Sequence, residues 1–170
     1  MSKPPDVQLV AIASPDGSVS VMQFVICEYA KDGKPRWMRK ATDEAVAAEI
    51  ARSRIPMVSW QRITRNDIPG DRYFRGAWSM NGGGKVEVDM PRARDIQRDK
   101  MRRARAPKLA ALDTDYMRAD ELGDTAAKAD IAARKQALRD VTADTAIEAA
   151  QTPEELREVW PAALGRGIPA

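Results

Sequence analysis

Residues 91–106, PRARDIQRDKMRRARA, carry seven Arg or Lys against two acids, Asp95 and Asp99, a local net charge of +5. Residues 109–160 follow with twelve acids and six bases. Two adjoining helical stretches of opposite charge point to an element that folds back on itself or on copies of itself. Pro91 suits a first helical turn, where its missing N–H costs nothing, with Asp89 or Met90 as the cap. Inside the basic stretch Ala93, Ile96, Gln97, Met101 and Ala104 share one face at helical spacing. Arg92, Lys100 and Arg103 border that face on one side, and Arg94, Arg98 and Arg105 on the other. Pro107 is expected to kink or restart the helix.

Leu109, Leu112, Tyr116 and Ala119 then extend the apolar stripe. Gly123 marks a helix stop and Asp124 an N-cap, which places a tight helix–helix turn at ELGDT. Ala127, Ile131, Arg134 and Leu138 continue the stripe on the returning helix. TPEEL is a capping box, Thr152 to Glu155 with Pro153 at the first position, and opens a last short helix through Leu156 and Trp160. Residues 91–170 therefore read as an antiparallel helical hairpin with a short capped terminal helix. Its Ala-rich interior allows close approach but buries little area, so the pair is marginal alone and needs a partner surface.

Upstream, residues 1–90 change character. VQLVAIA (7–13) and SVSVMQFVICEY (18–29) are β-branched and apolar, and SPDG between them is a hairpin turn. A second turn at KDGKP leads to Trp37 and Met38, a candidate third strand. TDEAVAAEIARSR has Thr42 as N-cap, acids in its first turn, and Ala45, Val46, Glu49 and Ile50 at helical spacing; Ile55-Pro56 ends it. MVSWQRIT reads as another strand, with Val58, Trp60 and Arg62 on one side. IPGD is a turn, RYFRGAW a short aromatic element of open type, and NGGGK a turn feeding a strand through Val86 and Val88. The expected fold class is α+β: a small antiparallel sheet module with one helix over 1–90, then the hairpin.

Composition agrees with that division. Aromatics are 5% of a chain of 170 residues, and Ala supplies much of the 44% hydrophobic fraction, so a large filled core over the full length is not expected. The net charge is +3, yet residues 1–90 hold thirteen bases and eleven acids, so the excess sits in the helix after Met90. The single cysteine, Cys27, in an apolar run, reads as a small buried hydrophobe in a chain that folds under reducing conditions. No apolar run approaches the roughly 18 residues of a membrane helix, and MSKPPD has no apolar signal core. The expectation is a soluble protein made in the cytoplasm.

The chain contains no histidine. That removes the commonest general base, the Ser-His and Cys-His nucleophile pairs and most zinc sites. Asp113, Asp115 and Asp120 are the nearest approach to an acidic cluster, but positions 113 and 115 point about 200° apart on a helix and read as solvated acids. NGGGK lacks the phosphate-loop spacing and precedes a strand, so no helix N-terminus can meet a phosphate there. No catalytic, cofactor or metal residues are assigned, and no enzyme is expected.

Two groups of interaction residues remain. Arg94, Arg98, Arg102 and Arg105 could contact phosphates with strong salt dependence. Asp99, three and four residues before Arg102 and Arg103, and the acidic helices beyond favour carboxylate partners instead, which the planar guanidinium suits. Tyr73, Phe74 and Trp78, beside Arg72 and Arg75, could form an exposed interface anchor.

The blocks DRYFRGAW, VDMPRARDIQRDKMRRARAPKLAALD, RKQALRDV and AQTPEELREVWP, spanning residues 71–161, resemble small bacteriophage virion and tail-associated proteins, including the C-terminal regions of tail-fibre assembly chaperones. The resemblance implies an Arg-rich helix, a turn, a returning helix ending in LRD and a capped segment ending in WP. In function it implies a non-enzymatic structural protein, a minor tail, neck or capsid-associated component of the virion. Its partners would be other virion proteins and copies of itself, with no small-molecule substrate and no membrane. A tail-fibre assembly chaperone and a nucleic-acid-binding module are the alternatives. Under the first reading Leu109, Leu112, Tyr116, Ile131 and Leu138 zip the hairpin, and the four arginines pair with carboxylates of neighbouring subunits.

Overall fold

Strand β1 (Gln8–Ala13) is the centre of a three-stranded antiparallel sheet, flanked by β2 (Val19–Phe24) and by β5 (Ser59–Arg62), in the order β2-β1-β5. Its apolar run is explained by burial on both faces: Val10, Ala11 and Ile12 are all fully enclosed. Because side chains alternate, Val10 and Ile12 point one way and Ala11 the other. On the first face they meet Val46 and Ile50 of α1 (Asp43–Ser53), with Met22, Phe24 and Trp60 packed around them. On the second face Ala11 and Val19 meet Ile63, Trp78 and Val86. The last two belong to a hairpin of β6 (Trp78–Met80) and β7 (Val86–Val88). The small sheet is thus covered by one helix and one hairpin.

The computed structural model of the chain describes residues 8–25, 27–29, 35–37 and 42–165. The turn at 31–34, the Cys27 side chain and Met38 lie outside the described residues. The long second strand expected over 18–29 is divided: β2 ends at Phe24, and β3 (Cys27–Tyr29) pairs with β4 (Pro35–Trp37) in a separate two-stranded sheet. Helix α1 begins on the Thr42 cap, whose hydroxyl accepts from Ala45 N, and ends with Arg54 in the left-handed region at φ 57°. The Asp16 carboxylate holds the β1–β2 turn by accepting from the Ser18 N–H and hydroxyl. Trp60 and Arg62 face α1, with the Arg62 guanidinium 2.9 Å from the Asp43 carboxylate, but Val58 precedes the strand and is exposed. NGGGK is the β6–β7 turn, closed by Asn81, whose side-chain oxygen accepts from the N–H groups of Gly83 and Lys85. Gly84 adopts φ +84°, and a Cβ there would lie 2.7 Å from the Gln61 amide nitrogen.

The chain divides into two compact units, residues 1–88 and 89–170. The boundary falls two residues before the expected one because Asp89, the N-cap of α2, accepts from Arg92 N. Helix α2 (Met90–Glu121) is continuous over 32 residues. Pro107 therefore neither ends nor restarts it, correcting the expectation; the exposed ring sits inside the helix, and tertiary packing on both sides of it outweighs one lost hydrogen bond. Gly123 (φ +67°) makes the turn, Asp124 caps through Ala127 N, and α3 (Thr125–Asp140) returns along α2. Leu112, Ala119, Ile131 and Leu138 are buried between them, whereas Leu109, Tyr116 and Ala127 are half-buried and Arg134 exposed. After α3, the short helices α4 (Ala146–Ala149) and α5 (Pro153–Glu158) bury Ile147 and Leu156 beside Ala93, Gln97 and Met101 of the basic half of α2. The second unit is thus a hairpin with a third layer over its base. In fold class the chain is α+β.

Candidate interaction surface

The side chains at 94, 98 and 105 lie along one edge of α2 at spacings of four and seven, so the helix presents them together. What they meet is the C-terminal segment of the same unit. Arg94 donates from Nε to the Ile147 carbonyl at 3.1 Å, and from one terminal nitrogen to the carbonyls of Glu148 at 3.3 Å and Ala150 at 2.9 Å. These are carbonyls at the open end of α4, which a cation satisfies. Arg105 does the same at the end of α3, donating to the carbonyls of Leu138 at 3.4 Å and Arg139 at 2.7 Å. Arg98 pairs with Asp95 on its own helix at 3.3 Å and with Glu148 across the unit. Between these arginines Gln97, wholly buried, donates from its side-chain amide to the Val159 carbonyl at 2.8 Å.

All four arginines expected to reach neighbouring subunits therefore have partners in their own unit, and the principal acceptors of two, Arg94 and Arg105, are backbone carbonyls rather than carboxylates. Arg102 is the fourth; it pairs with Asp99 one turn earlier and its side chain is half exposed. Phe74 and Trp78, expected at an exposed anchor, are 3% and 2% exposed and belong to the interior of the first unit. For Trp78 the correction has a plain cause: the second face of the sheet carries the small Ala11, and a large ring packs in the space above it. Tyr73, half-buried, meets Phe74 edge to face at a centroid distance of 4.7 Å.

Toward the turn, the α2–α3 hairpin is ordered by charge as much as by apolar contact. Lys128 and Lys135 of α3 lie 5.5 Å and 5.2 Å from the Tyr116 ring centre. Each lysine also meets a carboxylate of α2, Lys128 with Asp120 and Lys135 with Asp113. The hydrogen bond to Asp120 lifts the Lys128 pKa above its ordinary value, partly opposed by desolvation. Asp113 and Asp120 are exposed, as read from the sequence, and also meet the returning helix, while Asp115 is 3.6 Å from Arg118 on its own helix. At the apex, Met117 and Leu122 are 65% and 83% exposed. Sequence reasoning missed the backbone carbonyls of 147–150 as arginine partners, because no residue type announces a carbonyl left open by a short helix.

Comparison with protein families, with curated proteins and with solved structures finds no match to this chain. Among the described residues, no helix is long and apolar enough to cross a membrane.

Proposed function

We propose that the chain is a non-enzymatic structural protein of a bacteriophage particle, a minor tail, neck or capsid-associated component. It is made in the host cytoplasm and incorporated through protein–protein contacts with other virion proteins and with its own copies. The observation that carries this reading is the shape and chemistry of the α2–α3 apex. The C-terminal layer lies on the basic half of α2, and two large apolar side chains, Met117 and Leu122, are left exposed beyond it. Exposed apolar residues at the end of a projecting element are the kind of feature that anchors a protein contact. The inward use of Arg94, Arg98 and Arg105 weighs against a nucleic-acid role, since these guanidinium groups already have acceptors. A tail-fibre assembly chaperone would use the same apex, but transiently.

The test is a mass-spectrometric inventory of particles purified from the phage that encodes the chain, with copy number. Incorporation of the wild type is expected, together with loss of the Leu122→Asp variant from particles. That substitution at an exposed position should change stability by no more than about 0.5 kcal/mol. Absence of the wild type from particles, with the protein present in the lysate, would refute the virion role and favour the chaperone. Normal incorporation of Leu122→Asp would refute the apex as the contact.

A further inference from the structure

On the sheet face opposite α1, the first unit carries a cleft of about 200 Å³ that none of the preceding reasoning uses. Its floor is Leu9 of β1 with Val21 and Gln23 of β2. Its walls are Ile68, Trp78 and three arginines, Arg65, Arg72 and Arg75, all supplied by the 64–78 segment. Two 3₁₀ turns, Arg65–Asp67 and Arg75–Ala77, hold that segment in place. Among the described residues no carboxylate lines the cleft. The two acids of the segment are committed elsewhere: Asp67 accepts from the Thr64 N–H and hydroxyl, and Asp71 from the Tyr73 N–H. Among the described residues none of the three guanidinium groups is in an ion pair, in contrast to Arg62 a few residues earlier, 2.9 Å from Asp43.

A second observation is independent of the charges. Trp78, 2% exposed and lining the cleft, has an indole N–H with no hydrogen-bond partner among the described residues. A buried donor in that condition is stabilised by an acceptor brought to it. Three like charges around one small space likewise favour an anion between them. Apart from Gln23, the rest of the lining named above is apolar. We propose that this cleft binds a small organic acid, a carboxylate carried on a compact apolar body, independently of the role of the helical unit. The guanidinium groups take the carboxylate by planar two-point hydrogen bonds. Leu9, Val21, Ile68 and the Trp78 ring take the apolar body. The volume sets an upper size, since clefts for drug-sized ligands run from about 300 to 1,000 Å³; a single aromatic ring or branched chain with its acid group fits. From sequence alone no small-molecule partner is expected, and the cleft is not legible there because its lining residues come from three separate stretches of chain.

The full chain, labelled with nitrogen-15, is titrated with benzoate while the Trp78 indole N–H resonance is followed, assigned by its loss in Trp78→Phe. Benzoate should move that resonance saturably at concentrations up to about 10 mM, a weak but specific affinity on the usual scale. Benzamide, of the same shape without the charge, should not. The double variant Arg72→Gln/Arg75→Gln should bind benzoate at least about tenfold more weakly, the loss expected for one charge-assisted contact. Arg52→Gln, which removes an exposed charge on α1, should bind as the wild type does. An indole resonance unmoved by benzoate overturns the proposal. So does equal weakening by Arg52→Gln, which would indicate general attraction, or inorganic phosphate binding as tightly as benzoate, which would remove the role of the apolar lining. Tighter binding of N-acetyl-aspartyl amide than of benzoate would also overturn it, in favour of an acidic side chain of a protein partner.

Discussion

Replacing Arg94 by Met keeps the aliphatic stem on α2 but removes the donors to the carbonyls of Ile147, Glu148 and Ala150. The side chain is only 18% exposed, so water does not freely replace it. A hydrogen bond from a charged group contributes about 1.5–3 kcal/mol, and orphaning a partly buried acceptor costs about 1–3 kcal/mol. The three contacts share one guanidinium and are not additive, which places the expected loss at about 2–4 kcal/mol. Arg102→Met is the internal control, because its partner Asp99 lies one turn away and both side chains are more than half exposed. Exposed pairs of that kind contribute about 0–1 kcal/mol. Urea denaturation followed by helical circular dichroism at 222 nm reads both. With a slope near 1 kcal/mol per molar for so small a unit, Arg94→Met should lower the midpoint by about 2 M or more. Arg102→Met should leave it within about 0.5 M. Equal midpoints for the two variants would refute the claim that the basic helix is organised around its own chain's carbonyls.

Pro107→Ala should stabilise the second unit by about 1–3 kcal/mol, because the ring removes one helical hydrogen bond and crowds the preceding turn; an unchanged or lowered urea midpoint would show that the site is already adapted to the ring. Asp67 has its carboxyl held below the ordinary value of 3.8, chiefly by the Thr64 hydroxyl and then by the Thr64 N–H. Its folded form therefore binds a proton less readily than the unfolded chain, and its contribution is present above pH 3.8 and lost as pH falls through the lower folded value. A carboxyl titration by carbon-13 resonance should show Asp67 below that of an unfolded peptide and moving up in Thr64→Val. No movement would remove Thr64 as the cause.

Elements with one strong local signature were legible. Thr42, Asp124 and Thr152 read as caps, with Asp89 or Met90 for α2, and Thr42, Asp89, Asp124 and Thr152 each accept from the backbone N–H three residues on. The apolar run of β1 and the SPDG turn read as a hairpin, and β1 and β2 pair antiparallel across that turn. Tertiary effects account for the misses. Pro107 reads as a break because sequence reports the lost hydrogen bond and not the packing around it. Phe74 and Trp78 read as a surface group because their neighbours Arg72 and Arg75 are charged, but the two rings are buried while the two arginines beside them stay exposed. Arg94, Arg98 and Arg105 read from their spacing as one border of the apolar stripe, and they lie along one edge of α2. Their acceptors were not legible, since a carbonyl carries no residue identity.

The acceptors of Arg94 lie 53 to 56 positions downstream of it. At a translation rate of about 5–20 residues per second, several seconds separate the emergence of that guanidinium from the emergence of its carbonyls. During that interval Asp95 and Asp99 are the only acids within residues 91–106 to offset their positive charge. Vectorial synthesis thus gives the protein a brief phase in which its charge faces outward, ended when residues 138–150 wrap back and quench it.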